Sequence, residues 1–313
     1  MKIGFLYAGQ GSQKAGMGKD LYEAYPAFVQ AIDAIDAGNP QIDIKKLLFD
    51  TPDEELGQTK NTQPALAAFA AGVTAVLYEN GIRPAYAAGL SLGEYSALHA
   101  AGVWDAPTLV KLTAFRGAKM QEAAEAVDGA MCAIIGPESD EVAALCKEVA
   151  ESTGKFVQAA NFNTKTQTVV GGERAAVEAT AEKAKEAGAK KCSMLAVSSA
   201  FHTEFMEPAS VALKEYFKDL TFGEMQFPII HNTTARPLDG ETLPEILVRQ
   251  VKSPVRMWES IEYMAAQGVD TIIEVGPGKV LSGFVRKTVK GVKTYVINDA
   301  DGMAKVLEAL AGQ

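Results

Sequence analysis

The stretch PAYAAGLSLGEYSALHAA, residues 84–101, predicts a strand, a sharp turn and a helix in succession. Its first six residues are small and apolar, which is typical of a short buried strand. Helical character begins at Leu92 and ends at Gly102. Between them lies Gly89-Leu90-Ser91-Leu92-Gly93, a G-x-S-x-G motif, which in this context presents its serine hydroxyl as a nucleophile.

Strand-like and helix-like segments alternate along the first 127 residues. Residues 2–8 are apolar and β-prone, whereas residues 63–80 and 108–126 show helical spacing of apolar residues. This alternation indicates an α/β protein with a parallel sheet covered by helices. Further strands are predicted at 227–232, 271–275 and 294–297.

The middle of the chain predicts a second, smaller unit. Its elements follow the order βαββαβ of a ferredoxin-like unit. Strands are predicted at 130–135, 156–160, 167–170 and 191–197, helices at 139–151 and 175–187, and a turn at 161–164. We therefore expect a large subdomain of residues 1–127 and 197–313 and a small one of residues 128–196, with a ligand-binding cleft between them.

Composition narrows the class of protein. The chain has 313 residues, of which 48% are apolar, and a formal net charge of −9, which disfavours a general binder of nucleic acid or anionic membrane. Cys132, Cys146 and Cys192 match no metal or redox spacing, so we expect buried apolar thiols and no metal site. Without a signal peptide or an apolar stretch of about 18 residues, the expected location is the cytoplasm.

A serine nucleophile needs a general base, and the chain has three histidines. His99 lies on the same predicted helix as Ser91, roughly 12 Å along its axis, which is too far to reach the serine oxygen. His202 lies where the small subdomain returns to the large one, and His231 ends a predicted strand. Spacing favours His202 and leaves His231 open.

The loop Gly9-Gln10-Gly11-Ser12 follows the first predicted strand. It is expected at the carboxyl edge of the sheet, beside Ser91, where its N–H groups and those opening the next helix are candidates for an oxyanion hole. The phosphate-binding pattern G-x-x-x-x-G-K-[ST] is absent from the sequence.

Several motifs, in order along the chain, resemble the malonyl-CoA:acyl carrier protein transacylases of fatty acid synthesis. They are GQGSQ at 9–13, QPAL at 63–66, LSLGEYSAL at 90–98, RG and MQ at 116–117 and 120–121, NFN at 161–163, FH at 201–202 and EVGPG at 274–278. The resemblance implies an α/β-hydrolase-like large subdomain with a ferredoxin-like insert. It also implies an enzyme that transfers malonyl from malonyl-CoA to the phosphopantetheine thiol of acyl carrier protein through a malonyl-serine.

The resemblance also implies roles for individual residues. Ser91 matches the nucleophile and His202 its base, and the backbone carbonyl of Gln250 orients that base. The other matches are Gln10 and Leu92 to the oxyanion-hole donors, Arg116 to the arginine that pairs with the malonyl carboxylate, and Phe201 to a phenylalanine that disfavours a 2-methyl branch. A planar guanidinium suits a carboxylate because it binds in a bidentate way. The family implies no cofactor.

Leu90 departs from the family, which usually has histidine immediately before the nucleophile. That histidine is not the base, so catalysis is expected to survive, and the change bears on the geometry of the turn or of the acyl chain. A serine esterase or thioesterase would share Ser91 and His202 but usually carries an HGGG-type loop, which is absent here. A non-catalytic carrier-binding module would not need both residues.

The acyl carrier protein is acidic as a family trait, so an acidic enzyme needs a local basic face to bind it. Two groups of cations qualify. The C-terminal basic cluster comprises Lys279, Arg286, Lys287, Lys290 and Lys293, and the small-subdomain basic cluster comprises Lys183, Lys185, Lys190 and Lys191. The chain is expected to act as a monomer.

Overall fold

The computed structural model describes residues 1–197 and 199–311 of the chain, and the strands in those residues form two sheets. The strands are β1 (Ile3–Tyr7), β2 (Tyr86–Gly89), β3 (Gly129–Ile135), β4 (Val157–Thr164), β5 (Gln167–Glu173), β6 (Lys191–Met194), β7 (Val255–Arg256), β8 (Thr271–Val275) and β9 (Lys293–Ile297).

Helices surround both sheets. They are α1 (Lys19–Ala24), α2 (Pro26–Gly38), α3 (Ile44–Phe49), α4 (Asp53–Leu56), α5 (Thr59–Glu79), α6 (Leu92–Ala100), α7 (Ala106–Glu125), α8 (Ser139–Thr153), α9 (Arg174–Glu186), α10 (Glu207–Tyr216), α11 (Leu243–Gln250), α12 (Met257–Ala266), α13 (Val280–Thr288) and α14 (Ala300–Leu310). Two single 3-10 turns, Glu204–Met206 and Phe217–Asp219, flank α10.

The first sheet is parallel, with strand order β2-β1-β8-β9. Successive side chains of β1 are buried on opposite faces: Phe5 and Tyr7 join the largest apolar cluster with α5, whereas Leu6 packs in a second cluster with α12 and α13. A strand that is covered on both faces must be apolar throughout, which explains why residues 3–7 do not alternate with polar residues. The predicted α/β class with a parallel sheet is confirmed.

The second sheet has the order β6-β3-β5-β4-β7. Its first four strands are antiparallel, and β7 pairs in parallel with β4. Helices α8 and α9 cover one face, where Cys132, Cys146 and Val177 are buried together. On the other face Met131 and Val169 join the apolar cluster of the first sheet. The two sheets therefore enclose the space between them.

Three predicted segments differ from the structure. The strand expected at 227–232 is reduced to one bridge, Ala87 to Ile229, because Pro228 has no N–H to donate to a ladder. The turn expected at 161–164 is instead part of β4, which contains two register shifts. The strand expected at 191–197 ends at Met194.

The sequence interpretation missed β7, whose two residues give too short a pattern for recognition. All three cysteines are free thiols; two are buried and Cys192 is partly exposed. Within residues 1–197 and 199–311, no helix combines the length and apolar character needed to span a membrane.

Candidate active site

Ser91 stands at the sharp turn between the end of β2 and the start of α6. Its backbone has φ 54° and ψ −105°, a conformation that typically costs about 1–3 kcal/mol for a residue other than glycine. The flanking glycines are required by close packing. A Cβ on Gly89 would clash with the backbone of Gly93, and a Cβ on Gly93 would clash with the carbonyl oxygen of Tyr7. The predicted strand–turn–helix context of Ser91 is therefore present.

His202 contacts Ser91 directly. The Nε2 atom of His202 lies 2.6 Å from Oγ of Ser91, while its Nδ1 atom lies 3.0 Å from the carbonyl oxygen of Gln250 and 3.2 Å from that of Ser253. Because a carbonyl only accepts, Nδ1 carries the proton, which leaves Nε2 to accept the hydrogen bond from the serine hydroxyl. The pKa of His202 is lowered to about 4, mainly by burial and secondly by the positive charge of Arg116. Its imidazole is therefore neutral near pH 7.

Arg116, on α7, is completely buried beside this pair. Its Nη2 atom donates to Oγ of Ser91 at 3.3 Å and to Oε1 of Gln250 at 3.0 Å, and its Nη1 atom donates to Oε1 of Gln63 at 2.8 Å. The guanidinium carbon also lies 4.9 Å from the ring centre of Tyr95. Burial lowers the pKa of Arg116 from its ordinary value. All three of these acceptors are neutral, so within the described part of the chain no carboxylate bonds directly to the guanidinium.

A cavity of about 180 Å³ opens in front of Ser91. Polar side chains line part of its wall, and the rest is apolar. The lining residues are Gln10, Gln63, Leu90, Ser91, Leu92, Met120, Met131, Asn161, Asn163, Val169, Leu195, Val197, Phe201 and His202. Strands β3, β4 and β5 of the second sheet contribute to this wall, and so do the segments that follow β1 and β2 of the first sheet.

The two predicted oxyanion-hole residues line this cavity from different elements. Gln10 lies in the loop after β1, and its side chain is turned to Thr59, 3.1 Å away. Leu92 is the first residue of α6, so its N–H has no acceptor within the helix. Phe201, immediately before the predicted base, lines the same cavity and is 7% exposed.

The other two histidines lie away from Oγ of Ser91. The Nδ1 atom of His99 lies 2.8 Å from the carbonyl oxygen of Trp104. The Nδ1 atom of His231 lies 2.7 Å from Oε1 of Glu94, in a fully buried pair. Of the two histidines that spacing left open, His202 is the one that contacts Ser91.

Sequence reasoning missed three polar residues around the turn: Glu94, Asn232 and the side chain of Gln63. Asn232 and Glu94 are both almost completely buried, and Asn232 contacts the backbone on either side of Leu90. The only signal in the sequence is a carboxylate in the otherwise apolar start of α6.

Comparison with known proteins extends these observations over the whole chain. The acyl transferase domain family matches residues 4–305. The malonyl CoA-acyl carrier protein transacylase of Bacillus subtilis (strain 168) is 41% identical over 310 residues, covering 99% of this chain and 97% of the relative. That of Escherichia coli (strain K12) is 39% identical over 313 residues, covering 98% and 99%.

Solved structures agree with the relatives. A malonyl-transacylase in complex with a type II PKS acyl-carrier protein superimposes with a TM-score of 0.93 at 38% identity, covering 99% of this chain and 100% of that one. The MCAT of Streptococcus pneumoniae superimposes with a TM-score of 0.92 at 41% identity, with the same coverage.

A serine whose hydroxyl is hydrogen-bonded to a neutral histidine is equipped to take up an acyl group, and the domain match over residues 4–305 makes this chain an acyltransferase. Within that class, the curated relatives share one name and nearly the full length of the chain. The chain belongs to the family of malonyl CoA-acyl carrier protein transacylases.

Proposed function

We propose that this chain transfers the malonyl group from malonyl-CoA to the phosphopantetheine thiol of acyl carrier protein, and so supplies the extender unit for fatty acid synthesis. The observation that carries the proposal is the 2.6 Å contact between Ser91 and His202 beside a buried arginine whose hydrogen-bond acceptors are all neutral. The names of the relatives, and the neighbour solved with an acyl-carrier protein, support this substrate and partner.

In the first half-reaction, Nε2 of His202 takes the hydroxyl proton of Ser91 while Oγ attacks the thioester carbon of malonyl-CoA. The carbonyl oxygen becomes an oxyanion, which the N–H groups of Gln10 and Leu92 stabilise. One such donor typically contributes about 10²–10³ in rate. The carbon–sulfur bond then breaks, the CoA sulfur receives the proton from His202, and the malonyl ester of Ser91 remains.

In the second half-reaction, the phosphopantetheine thiol of acyl carrier protein replaces CoA. His202 takes the thiol proton, the sulfur attacks the ester carbon, and Oγ of Ser91 leaves with the proton that His202 returns. The sequence is ping-pong, and its proton transfers need only His202. We therefore propose that no metal or redox cofactor takes part.

Three further residues complete the proposed site. The backbone carbonyl of Gln250 holds the proton on Nδ1 of His202, which keeps Nε2 free to act as the base. Arg116 binds the free carboxylate of the malonyl group. The ring of Phe201 lies in the cavity wall, where its bulk would crowd a 2-methyl branch.

We also propose that residues 1–127 and 197–313 form an α/β-hydrolase-like subdomain, and residues 128–196 a ferredoxin-like one. The order β3-α8-β4-β5-α9-β6 and the antiparallel strand order β6-β3-β5-β4 support the second assignment. The separate apolar cluster beneath α8 and α9 supports a distinct unit.

We further propose a cytoplasmic location for this protein. The free thiols of all three cysteines are in keeping with a reducing compartment.

Acyl carrier protein is proposed to dock on the C-terminal basic cluster. Its five cations are all exposed, and within the described residues none of them pairs with a carboxylate. The small-subdomain basic cluster is weaker, because Lys183 pairs with Glu148 and Lys185 with Glu182. The C-terminal basic cluster also begins close to the loop that contains Gln10. Lys279 comes directly after Gly278, and a Cβ on Gly278 would lie 3.9 Å from the Cβ of Ser12 in that loop.

Intact mass spectrometry tests the proposed function. Mixing with malonyl-CoA should add one malonyl group to the wild-type protein, and adding holo acyl carrier protein should transfer that group to the carrier. Ser91→Ala should form no adduct, whereas the control Ser96→Ala, on the helix that Ser91 precedes, should form it. An adduct on Ser91→Ala, or free malonate in place of malonyl carrier protein, would contradict the proposal.

A further inference from the structure

We propose that Asn232 is a positioning residue for the nucleophile: its side-chain amide bridges the strained turn and fixes where Oγ of Ser91 lies. This inference rests on the proposed role of Ser91. Asn232 is the last residue of the segment 227–232, whose predicted strand is reduced to one bridge.

The amide of Asn232 bonds to the backbone on both sides of the turn. Its Nδ2 atom donates to the carbonyl oxygen of Gly89 at 2.7 Å, and its Oδ1 atom accepts from the N–H of Ser91 at 2.8 Å. One side chain therefore spans the peptide groups before and after Leu90. Both bonds hold Ser91 at φ 54° and ψ −105°, a conformation that persists only where its surroundings enforce it.

Asn232 is itself fixed by buried partners. Its backbone N–H donates to Oε2 of Glu94 at 3.0 Å, and its carbonyl oxygen accepts from the N–H of Arg256 at 2.9 Å. The other oxygen of Glu94 accepts from Nδ1 of His231 at 2.7 Å. Glu94 lies on α6, the helix that Ser91 precedes. Its carboxylate therefore links Asn232 to the helix that begins at the turn.

Gln250 supports the same turn from the other side. Its Nε2 atom donates to the carbonyl oxygen of Ser91 at 2.8 Å and lies 3.2 Å from Oδ1 of Asn232. The Oε1 atom of Gln250 accepts from Arg116. Asn232 is 1% exposed and does not line the cavity, and both polar atoms of its amide are bonded to the backbone of the turn, so it acts on substrate only through Ser91.

Loss of the Asn232 side chain should have a different effect from loss of a residue that contacts substrate. A displaced Ser91 would attack every acyl thioester more slowly, by about the same factor for malonyl-CoA and acetyl-CoA. Misplacement of a reacting group by about 1 Å can slow a reaction on the order of a hundredfold. Substrate binding should change little, since Asn232 does not face the cavity.

The test compares Asn232→Leu with Asn39→Leu. Asn39 is a matched control: it is fully buried, and its Nδ2 atom donates to the backbone oxygens of Ile35 and Pro107, away from the turn. Both variants should have a lower thermal midpoint. In single-turnover acylation, Asn232→Leu should lose about tenfold to a hundredfold in rate with either thioester, and KM should stay within about threefold. Asn39→Leu should keep the wild-type rate.

Asn232→Ala provides a second variant that leaves room for water to satisfy the freed backbone groups, in case the leucine variant does not fold. It should show the same equal loss for both thioesters. A folded Asn232 variant with the wild-type rate, a loss confined to malonyl-CoA, or an equal loss in Asn39→Leu would overturn the inference. Failure of the proposed function is separate, because wild-type protein would then form no malonyl adduct on Ser91.

Discussion

The Nη2 atom of Arg116 donates a hydrogen bond to Oγ of Ser91 over 3.3 Å. The same oxygen lies 2.6 Å from Nε2 of His202, so the serine hydroxyl donates a hydrogen bond to the base and accepts one from the guanidinium. A buried cation at this distance favours negative charge on Oγ and opposes positive charge on the imidazole. Arg116 therefore acts on the serine–histidine pair, besides the carboxylate-binding role proposed for it.

The pH profile of acylation should reflect this arrangement. Burial and Arg116 lower the pKa of His202 to about 4, so its neutral form should persist from pH 7 down to well below pH 6. Rates of Ser91 acylation by acetyl-CoA, which has no carboxyl group to titrate, should be flat over that range and fall only as the pH approaches 4. Half-maximal activity at pH 6.5 or above would contradict the lowered pKa.

The contribution of Arg116 to that profile can be isolated. Removing the cation in Arg116→Ala should raise the pKa of His202 and move the acid limb to higher pH. Arg116→Lys keeps the charge and should leave the limb closer to that of the wild type. An acid limb at the same pH in all three proteins would show that burial alone lowers the pKa of His202.

Loss of the base should be severe. General base catalysis typically contributes about 10²–10⁴ in rate, so His202→Ala should slow acylation by that factor. His99→Gln is the control, since Nδ1 of His99 bonds to the carbonyl oxygen of Trp104 and not to Ser91. Stopped-flow acylation with malonyl-CoA, with a thermal midpoint for each variant, separates lost chemistry from lost folding. A nearly normal rate in folded His202→Ala would mean that another group takes the serine proton.

Local patterns were sufficient to predict much of the fold. The strand–turn–helix at Ser91 is contained in residues 84–101, and the βαββαβ order of residues 129–194 follows from periodicity and glycine breaks. The carboxyl edge of a parallel sheet then brings the loops after β1 and β2 together. The patterns predict no element in residues 19–56, which contain four helices. Three of these helices have six residues or fewer, too short to show a helical period, and the fourth has thirteen.

The site depends on contacts that no local pattern contains. Asn232 and Ser91 are 141 positions apart, and His231 and Glu94 are 137 apart. No local pattern predicts that Arg116 on α7 is buried, yet it is 0% exposed. The strand predicted at 227–232 also shows where pattern alone is wrong. The apolar stretch predicts a strand, but Pro228 has no N–H for a ladder hydrogen bond, and only the bridge of Ile229 to Ala87 forms.

Leu90→His tests the departure from the family. Leu90 lines the cavity, and its N–H donates to the carbonyl oxygen of Tyr7 at 3.0 Å, a backbone bond that does not depend on the side chain. The variant should therefore keep kcat/KM for malonyl-CoA within about tenfold, or about 1.4 kcal/mol of barrier. Leu90→Met, which keeps an apolar side chain of similar volume, is the control. A gain well beyond tenfold in the histidine variant alone would show that this chain is a specialised member of the family.

The substrate assignment depends most on Arg116. A hydrogen bond to a charged group is typically worth about 1.5–3 kcal/mol, so losing the contact between the guanidinium and the malonyl carboxylate should cost about tenfold to a hundredfold in kcat/KM. Acetyl-CoA has no carboxylate, so in Arg116→Ala it should lose less activity than malonyl-CoA, by the positioning effect on Ser91 alone. Arg116→Lys keeps the charge without the planar fork and should recover only part of the malonyl activity.

The measurement is the ratio of kcat/KM for malonyl-CoA to that for acetyl-CoA in the wild type and both variants. A ratio is needed because Arg116 also contacts Ser91, Gln63 and Gln250, so Arg116→Ala should slow attack on both thioesters to some extent. Loss of positioning cancels in the ratio, whereas loss of carboxylate binding does not. A tenfold or greater fall in the ratio for Arg116→Ala, with an intermediate value for Arg116→Lys, is the expected result. An unchanged ratio in a folded Arg116→Ala protein would make the arginine a positioning residue only, and malonyl selectivity would have to arise from the residues that line the cavity.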